Sequence, residues 1–175
     1  LVQTFGKHVF EVIERSPDRL TEVPGIGPTR KERITKSWHD QRVVREIMVF
    51  LQGHGVGTAR AVRIYKTYGD DAIGIVKQNP YRLANDIHGI GFKTADELAG
   101  RLGIDKSSPL RARAGVGYVL QQLTTEGHCA FPEDGLVKKS VELLEIDEAV
   151  IRAAINHSVG EGRLIRDRIG EDQCI

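Results

Sequence analysis

Three glycine–aliphatic–glycine triplets recur in the first part of the chain, and they restrict its fold more than any other feature. They are Gly25-Ile26-Gly27, Gly55-Val56-Gly57 and Gly89-Ile90-Gly91. Glycine adopts positive φ values without steric cost, so each triplet can reverse the chain within a few residues. Each triplet also lies between segments whose apolar residues recur with helical spacing. The sequence therefore predicts three tight turns, each joining two helices.

The backbone amides at these turns predict a kind of ligand. The second helix of each pair begins at or just after the second glycine, where the first N–H groups have no partner within the helix and the helix dipole is positive. Phosphate oxygens bind well at such a position. Contacts of this type position a nucleic-acid backbone without reading its bases. The triplets thus predict helix-hairpin-helix motifs that bind DNA without sequence specificity.

An internal duplication supports this interpretation. Thr4-Phe5-Gly6 matches Thr67-Tyr68-Gly69, and Pro17-Asp18-Arg19-Leu20 matches Pro80-Tyr81-Arg82-Leu83, both at an offset of 63 residues. The first and third triplets are then equivalent after one inserted residue. In the second copy, this matching segment closes the second helix of the middle hairpin, whereas the first copy starts at Leu1. We therefore expect the first unit to be incomplete in this sequence, with a further hairpin upstream.

The charges are unevenly distributed along the chain. The net charge is only +1. Residues 19–66, however, hold 10 Lys and Arg against 4 Asp and Glu, a local charge of +6, whereas residues 107–175 hold 8 against 11, a local charge of −3. The basic region coincides with the first two hairpins, which favours a nucleic-acid partner there.

The candidate DNA-binding residues are the turn glycines and the polar or basic residues beside them. The first hairpin contributes Gly25, Gly27, Thr29, Arg30 and Lys31, and the middle hairpin contributes His54, Gly55, Gly57, Thr58 and Arg60. The third contributes Gly89, Gly91, Lys93 and Thr94. Residues 67–106 carry a net charge of −1, so a packing role for the third hairpin stays equally open. Trp38 is predicted to pack rather than to stack on bases, because no second aromatic residue accompanies it at a useful spacing.

Two predicted helices, Thr29–Trp38 and Gln41–Leu51, connect the first two hairpins.

The predicted elements after residue 107 follow the order of a winged helix. They are a helix, a strand at Cys129–Phe131, two helices, a strand at Leu164–Arg166 and a last strand at Gln173–Ile175. The last strand is expected to be cut short. The third of these helices begins with Asp147-Glu148, so phosphate repulsion favours packing over base reading.

The predicted fold class is mainly α, with tandem helix-hairpin-helix units followed by a small winged-helix-like α+β domain. We assign residues 1–106 to the hairpin region and residues 107–175 to the winged-helix-like domain. Two cysteines far apart indicate neither a disulfide framework nor a zinc site. No signal peptide or membrane span is evident, so cytoplasmic localisation without a membrane partner is expected.

The order of several segments resembles the N-terminal region of RecD-like DNA helicases, which are also known as exodeoxyribonuclease V alpha subunits. The resemblance covers nearly the whole chain and is carried by residues 20–27, 49–56, 61–69, 79–84 and 89–96. Hairpin triplets alone occur in many DNA-repair proteins, whereas this ordered set is more specific. The resemblance implies an accessory DNA-handling region of an ATP-dependent 5′–3′ helicase, acting on single-stranded or junction DNA beside the motor domains of the same polypeptide.

No catalytic or metal-binding residues are predicted within these 175 residues. An ATP site would need the pattern G-x-x-x-x-G-K-[ST], and Gly89-Ile90-Gly91-Phe92-Lys93-Thr94 has the wrong spacing. The resemblance places ATP and Mg²⁺ in motor domains outside this sequence, and no clustered Asp, Glu and His indicate a nuclease site. The alternative function is a structural or protein-interaction scaffold that packs on those motor domains.

Overall fold

The computed structural model describes residues 1–175, and it confirms a mainly α-helical fold with a small β part. The chain forms two compact units, Leu1–Ala72 and Ile73–Ile175. From the sequence counts, the first unit holds 12 Lys and Arg against 9 Asp and Glu, and the second holds 13 against 15. The excess of basic residues therefore belongs to the first unit. No helix is both long and apolar enough to cross a bilayer.

The first unit is built from helices joined by short 3₁₀ turns. The helices are α1 (Val2–Phe5), α2 (Val9–Arg15), α3 (Pro28–Gly53) and α4 (Thr58–Tyr68), and the turns are Gly6–His8, Pro17–Glu22 and Gly69–Asp71. A small core forms where α2, the second 3₁₀ turn and α3 meet, around the buried side chains of Val9, Val12, Ile13 and Leu20. The core positions α2 against the N-terminal half of α3.

Helix α3 is one continuous helix of 26 residues, so the prediction of two helices here was wrong. The expected break at residues 39–40 contains neither proline nor glycine, and nothing there prevents the hydrogen-bond ladder from continuing. An ion pair between Arg42 and Glu46 one turn apart, at 3.0 Å, further supports the helix beyond the expected break. The first two hairpins are thus joined by a single continuous helix.

The second unit contains the third hairpin and the winged-helix-like region. Its elements are α5 (Ala72–Gln78, from the last residue of the first unit), α6 (Arg82–Asp86), α7 (Phe92–Arg101), α8 (Pro109–Thr125), α9 (Glu133–Leu144), α10 (Glu148–Gly160), β1 (Asp167–Ile169) and β2 (Asp172–Cys174). The two strands pair antiparallel around the turn at Gly170. The order of elements is that of a winged helix.

The duplication seen in the sequence is present in the backbone. Gly6 and Gly69 have nearly the same conformation, with φ and ψ of 52° and −131° in the first and 58° and −137° in the second. Each begins a 3₁₀ turn that is followed by a seven-residue helix, α2 in the first copy and α5 in the second. Leu20 and its equivalent Leu83 are both fully buried. The two copies therefore share local conformation as well as sequence.

An ion pair joins the third hairpin to the winged-helix-like region inside the second unit. The Arg111 guanidinium donates Nε–H and Nη2–H to both oxygens of Asp96, at 2.8 and 3.0 Å. It also donates to the carbonyl oxygen of Leu144 at 2.7 Å, and the Tyr81 hydroxyl donates to Asp96 at 2.8 Å. Burial raises the pKa of Tyr81, and the hydrogen bonds from Arg111 to Asp96 raise the pKa of Arg111. These groups hold α7, α8 and α9 in fixed register.

The predicted boundary between residues 106 and 107 lies inside the second unit. Phe92, Ala95 and Ala99 of α7 share one hydrophobic core with Ala112 and Val116 of α8. The compact units divide the chain after Ala72, whereas the sequence motifs divide it after residue 106. The assignment of residues 1–106 and 107–175 as functional regions stays a prediction.

Two strand predictions in the winged-helix-like region need correction. Residues 129–131 are not a strand, although Phe131 and Ile175 exchange two backbone hydrogen bonds of 2.9 Å and so attach this segment to the end of β2. The strand expected at Leu164–Arg166 begins later, at Asp167. The amides of Arg163 and Leu164 are used by the Ser158 carbonyl at the end of α10, which delays the start of the strand.

Two glycines of α8 give a matched test of core packing. A Cβ on Gly115 would lie 2.3 Å from a methyl carbon of the buried Leu144, whereas a Cβ on Gly117 would meet nothing within 4 Å. We expect Gly115→Ala to be less stable than Gly117→Ala by about 1–3 kcal/mol, because overpacking in the core opposes the gain in helix propensity that both variants share. Urea unfolding of both variants measures the difference, and equal stabilities would contradict this account of the α8–α9 contact.

Candidate nucleic-acid interface

The three hairpins share one backbone conformation. The first glycine of each triplet has a positive φ: 83° at Gly25, 80° at Gly55 and 85° at Gly89. The second glycine of each is extended and is the N-cap of the next helix, with φ and ψ of −89° and 179° at Gly27, −64° and 154° at Gly57, and −99° and 177° at Gly91. The left-handed residue turns the chain, and the extended residue aims it into the helix.

The aliphatic residue between the glycines anchors each turn. Val56 and Ile90 are each only 4% exposed, and Ile26 packs against the core of the first unit. The amide of Val56 donates to the carbonyl of Leu51 at 2.9 Å. This anchoring keeps the main chain of the turn at the surface while its middle side chain points inward.

The helices that follow the hairpins have no side-chain cap. Helices α3, α4 and α7 each begin after a glycine, which has no side chain to accept from the first amides. In contrast, Ser108 and Asp147 accept hydrogen bonds from the first-turn amides of α8 and α10. The hairpin helices therefore leave amide donors and the positive end of the helix dipole available to an anion, although in α3 the first such amide is that of Thr29 because Pro28 has no N–H.

Two of the predicted cations of the first hairpin are engaged within the protein. Arg30 donates through Nη1 to the carbonyl oxygen of Gly25 at 2.8 Å, so it braces the turn itself. Lys31 forms an ion pair with Asp18 at 2.8 Å, which raises the pKa of Lys31 and lowers the pKa of Asp18. Thr29 is exposed at the start of α3. A phosphate at this hairpin would therefore contact Thr29 and the backbone amides, because Arg30 and Lys31 are already engaged within the protein.

The middle hairpin also holds one of its predicted ligands in place. The Nδ1 atom of His54 lies 2.7 Å from the carbonyl oxygen of Phe50, and the two rings are in contact at 4.5 Å between centroids. His54 is thus half-buried and turned back onto its own helix rather than free at the tip. The Thr58 hydroxyl accepts from Gln52 at 3.1 Å, and Arg60 is exposed two residues further on.

Two further cations of α3 were missed by the sequence reasoning. Arg33 and Lys36 are exposed and form no ion pair or hydrogen bond within the protein, as is also true of Arg60. Thr29, Arg33 and Lys36 lie on one face of α3, because residues four and three apart are neighbours on a helix. That spacing could have been read from the sequence, and it identifies a basic face that begins at the first hairpin.

The third hairpin differs from the first two in the residues that surround it. Lys93 is exposed and Thr94 is half-buried in the first turn of α7, while Asp96 in the same helix is the partner of Arg111. A helix, α6, precedes this turn, whereas a phosphate loop follows a strand. Residues 89–94 therefore do not fit an ATP site, and α7 is fixed into the core of the second unit.

The basic side chains of α10, the third helix of the winged-helix-like region, contact nearby groups. Arg152 lies 2.9 Å from Asp134 and 2.8 Å from Glu148. His157 contacts Arg113 and lies 3.2 Å from Glu161. This helix offers no unpaired cluster of positive charge of the kind found on α3.

The fold and the three hairpins together define the class of protein. It is a tandem helix-hairpin-helix module followed by a winged-helix-like region. The family described as the ATP-dependent RecD2 DNA helicase HHH domain matches residues 40–130, and the SAM-like helix-hairpin-helix tandem matches residues 1–40. The chain belongs to the RecD2 helix-hairpin-helix family, which confirms the resemblance to RecD-like helicases.

A relative from Deinococcus radiodurans shows how much of such a protein the chain covers. The ATP-dependent RecD2 DNA helicase of that organism is 32% identical over 168 residues, which is 95% of this chain and 23% of the relative. The chain thus corresponds to about a quarter of the relative's length.

The turn conformation of the middle hairpin gives a second stability prediction. Gly55→Ala forces an alanine into a φ of 80°, so we expect a loss of about 1–2 kcal/mol. Gly53→Ala is the matched control in the same hairpin, since a Cβ there meets nothing within 4 Å and helical alanine is favoured over glycine. Thermal and urea unfolding should rank the variants Gly53→Ala, wild type, Gly55→Ala, and the reverse order would contradict a strained left-handed position.

Proposed function

We propose that the chain is a DNA-binding accessory region of a RecD-like helicase, and that it contacts phosphates without reading sequence. The observation that carries the proposal is the coincidence of uncapped helix starts at Gly27 and Gly57 with the unpaired cations Arg33, Lys36 and Arg60 in the same unit. Amide donors and positive charge on one unit favour a polyanion.

The proposed contacts divide into two groups by their structural role. The amides of the first two hairpins, with the hydroxyls of Thr29 and Thr58, would orient phosphates. Arg33, Lys36 and Arg60 would supply charge, while Arg30 and Lys31 remain part of the proposed site mainly as braces of the first hairpin. His54, Lys93 and Thr94 are secondary members, since His54 is turned inward and the third hairpin lies in the less basic unit.

Phosphate contacts of this kind do not by themselves select a DNA form. Single strands and junctions offer the same phosphate groups as a duplex, and the proposal of single-stranded or junction DNA rests on the helicase family. ATP and Mg²⁺ would act in motor domains of the same polypeptide, and cytoplasmic localisation and a role in DNA repair are part of the same proposal.

A second candidate function is a scaffold that packs on those motor domains. It is favoured by the second unit, where the ion pair between Arg111 and Asp96 fixes the third hairpin into the winged-helix-like core and where acidic residues exceed basic ones by two. The two functions can coexist, with DNA on the first unit and the motor domains on the second.

Salt-dependent binding tests the DNA proposal. We expect the triple variant Arg33→Ala/Lys36→Ala/Arg60→Ala to bind a labelled single strand at least tenfold more weakly at low salt, with a slope of log K against log salt reduced by about one for each lost contact. Fluorescence anisotropy at several salt concentrations gives both quantities. Unchanged affinity in this variant would contradict the proposed cation set.

Lys138→Ala is the matched control for charge, because Lys138 is exposed on α9 in the second unit. It should leave affinity and salt slope unchanged. A well-folded wild-type chain that fails to bind single-stranded, duplex and tailed DNA at low salt would favour the scaffold function instead.

A further inference from the structure

A shallow groove of about 250 Å³ opens between α2 and α3 in the first unit, beside the basic face of α3. Its lining combines apolar, aromatic, polar and cationic side chains: Ile13, Arg33, Ile34, Ser37, Trp38 and Gln41. Ser37, Gln41 and Arg33 are exposed and make no hydrogen bond within the protein through their side chains. The groove therefore has hydrogen-bonding capacity that the protein itself does not use.

The indole of Trp38 forms a rigid wall of this groove. It stacks on the ring of Phe10 at 4.7 Å between centroids with 16° between the planes. Its Nε1–H donates to the Glu14 carboxylate at 3.1 Å, and Arg42 lies 3.4 Å from the same carboxylate and so offsets its charge. Trp38 packs against the core of the first unit, as the sequence predicted. Its aromatic partner, Phe10, comes from α2 and was not visible in the sequence.

The position of the groove links it to the first hairpin. Trp38 follows Thr29 by nine residues on one helix, a distance of about 14 Å along the axis, and Arg33 lies between them. A strand whose phosphates rest on the hairpin amides would thus pass the Arg33 guanidinium before it reaches the indole. The unpaired charge of Arg33 in the groove, with that of Lys36 nearby on the same helix, favours an anionic ligand over an uncharged apolar segment of another protein.

We propose that this groove binds an unstacked nucleobase of single-stranded DNA whose backbone lies on the first hairpin. An aromatic wall with polar groups and a cation at the rim is the combination that holds bases without sequence preference. The inference rests on the proposed function, because the hairpin would deliver the strand. It adds a preference for single strands, since the bases of an intact duplex are not free to enter.

Tryptophan fluorescence reports directly on this contact, because Trp38 is the one tryptophan of the chain. The experiment titrates the full chain with a single-stranded oligonucleotide and with an oligonucleotide of equal length and charge that has abasic sites throughout. Anisotropy of a label on each strand measures affinity, and tryptophan emission measures base contact. We expect the base-containing strand to quench Trp38 and to bind about fivefold or more tightly than the abasic strand.

A groove-filling variant separates this proposal from the hairpin proposal. Ser37→Leu places an apolar side chain in the groove at an exposed helical position and leaves the hairpins intact. It should abolish the preference for the base-containing strand while keeping the affinity for the abasic strand.

Three outcomes would overturn part or all of this proposal. Equal affinity for both strands with unchanged Trp38 emission would overturn the groove proposal and leave phosphate binding at the hairpins in place. Failure of both strands to bind would overturn the proposed function as well as the inference. Quenching by the wild-type chain that persists in Ser37→Leu would show that bases contact Trp38 outside this groove, which also overturns the site proposed.

Discussion

A single backbone requirement underlies the arrangement of the proposed interface, namely a left-handed residue followed two positions later by an extended one. Glycine meets the first condition at Gly25, Gly55 and Gly89, and the anchored aliphatic residue between the glycines keeps the turn in register. The same geometry ends in a helix start without a side-chain cap. Chain reversal and anion-binding capacity therefore come from the same few residues, and neither needs a dedicated side chain.

The two units make different use of this hairpin. In the first unit, turns and unpaired cations occur together, and the small core leaves Phe10 exposed and Trp38 half-buried against it. In the second unit, the same turn is followed by a helix that Asp96 and Arg111 tie into a larger core. A duplicated element has thus kept its backbone conformation while its surroundings differ, which is why motif identity alone did not determine the role of each copy.

The features that were predictable from sequence are local ones. Glycine spacing identified the hairpins, and proline and glycine marked most helix ends. The pairing of Lys31 with Asp18 and the stacking of Trp38 on Phe10 were not predictable, because these partners are 13 and 28 residues apart and meet only after α2 and the 3₁₀ turn that follows it pack on α3. The continuity of α3 could have been predicted, since no helix-breaking residue separates its halves, and so could the face formed by Thr29, Arg33 and Lys36.

The length of α3 has a geometric consequence for any ligand that engages both hairpins of the first unit. Its 26 residues act as a stiff spacer of about 39 Å with one hairpin at each end. Two sites held at a fixed span bind a long polymer with an avidity that a short one cannot reach. The helix also fixes the rotation of one hairpin relative to the other, because one inserted residue would turn one of them by about 100°. Helix length is thereby a determinant of ligand geometry, independent of every side chain at the sites themselves.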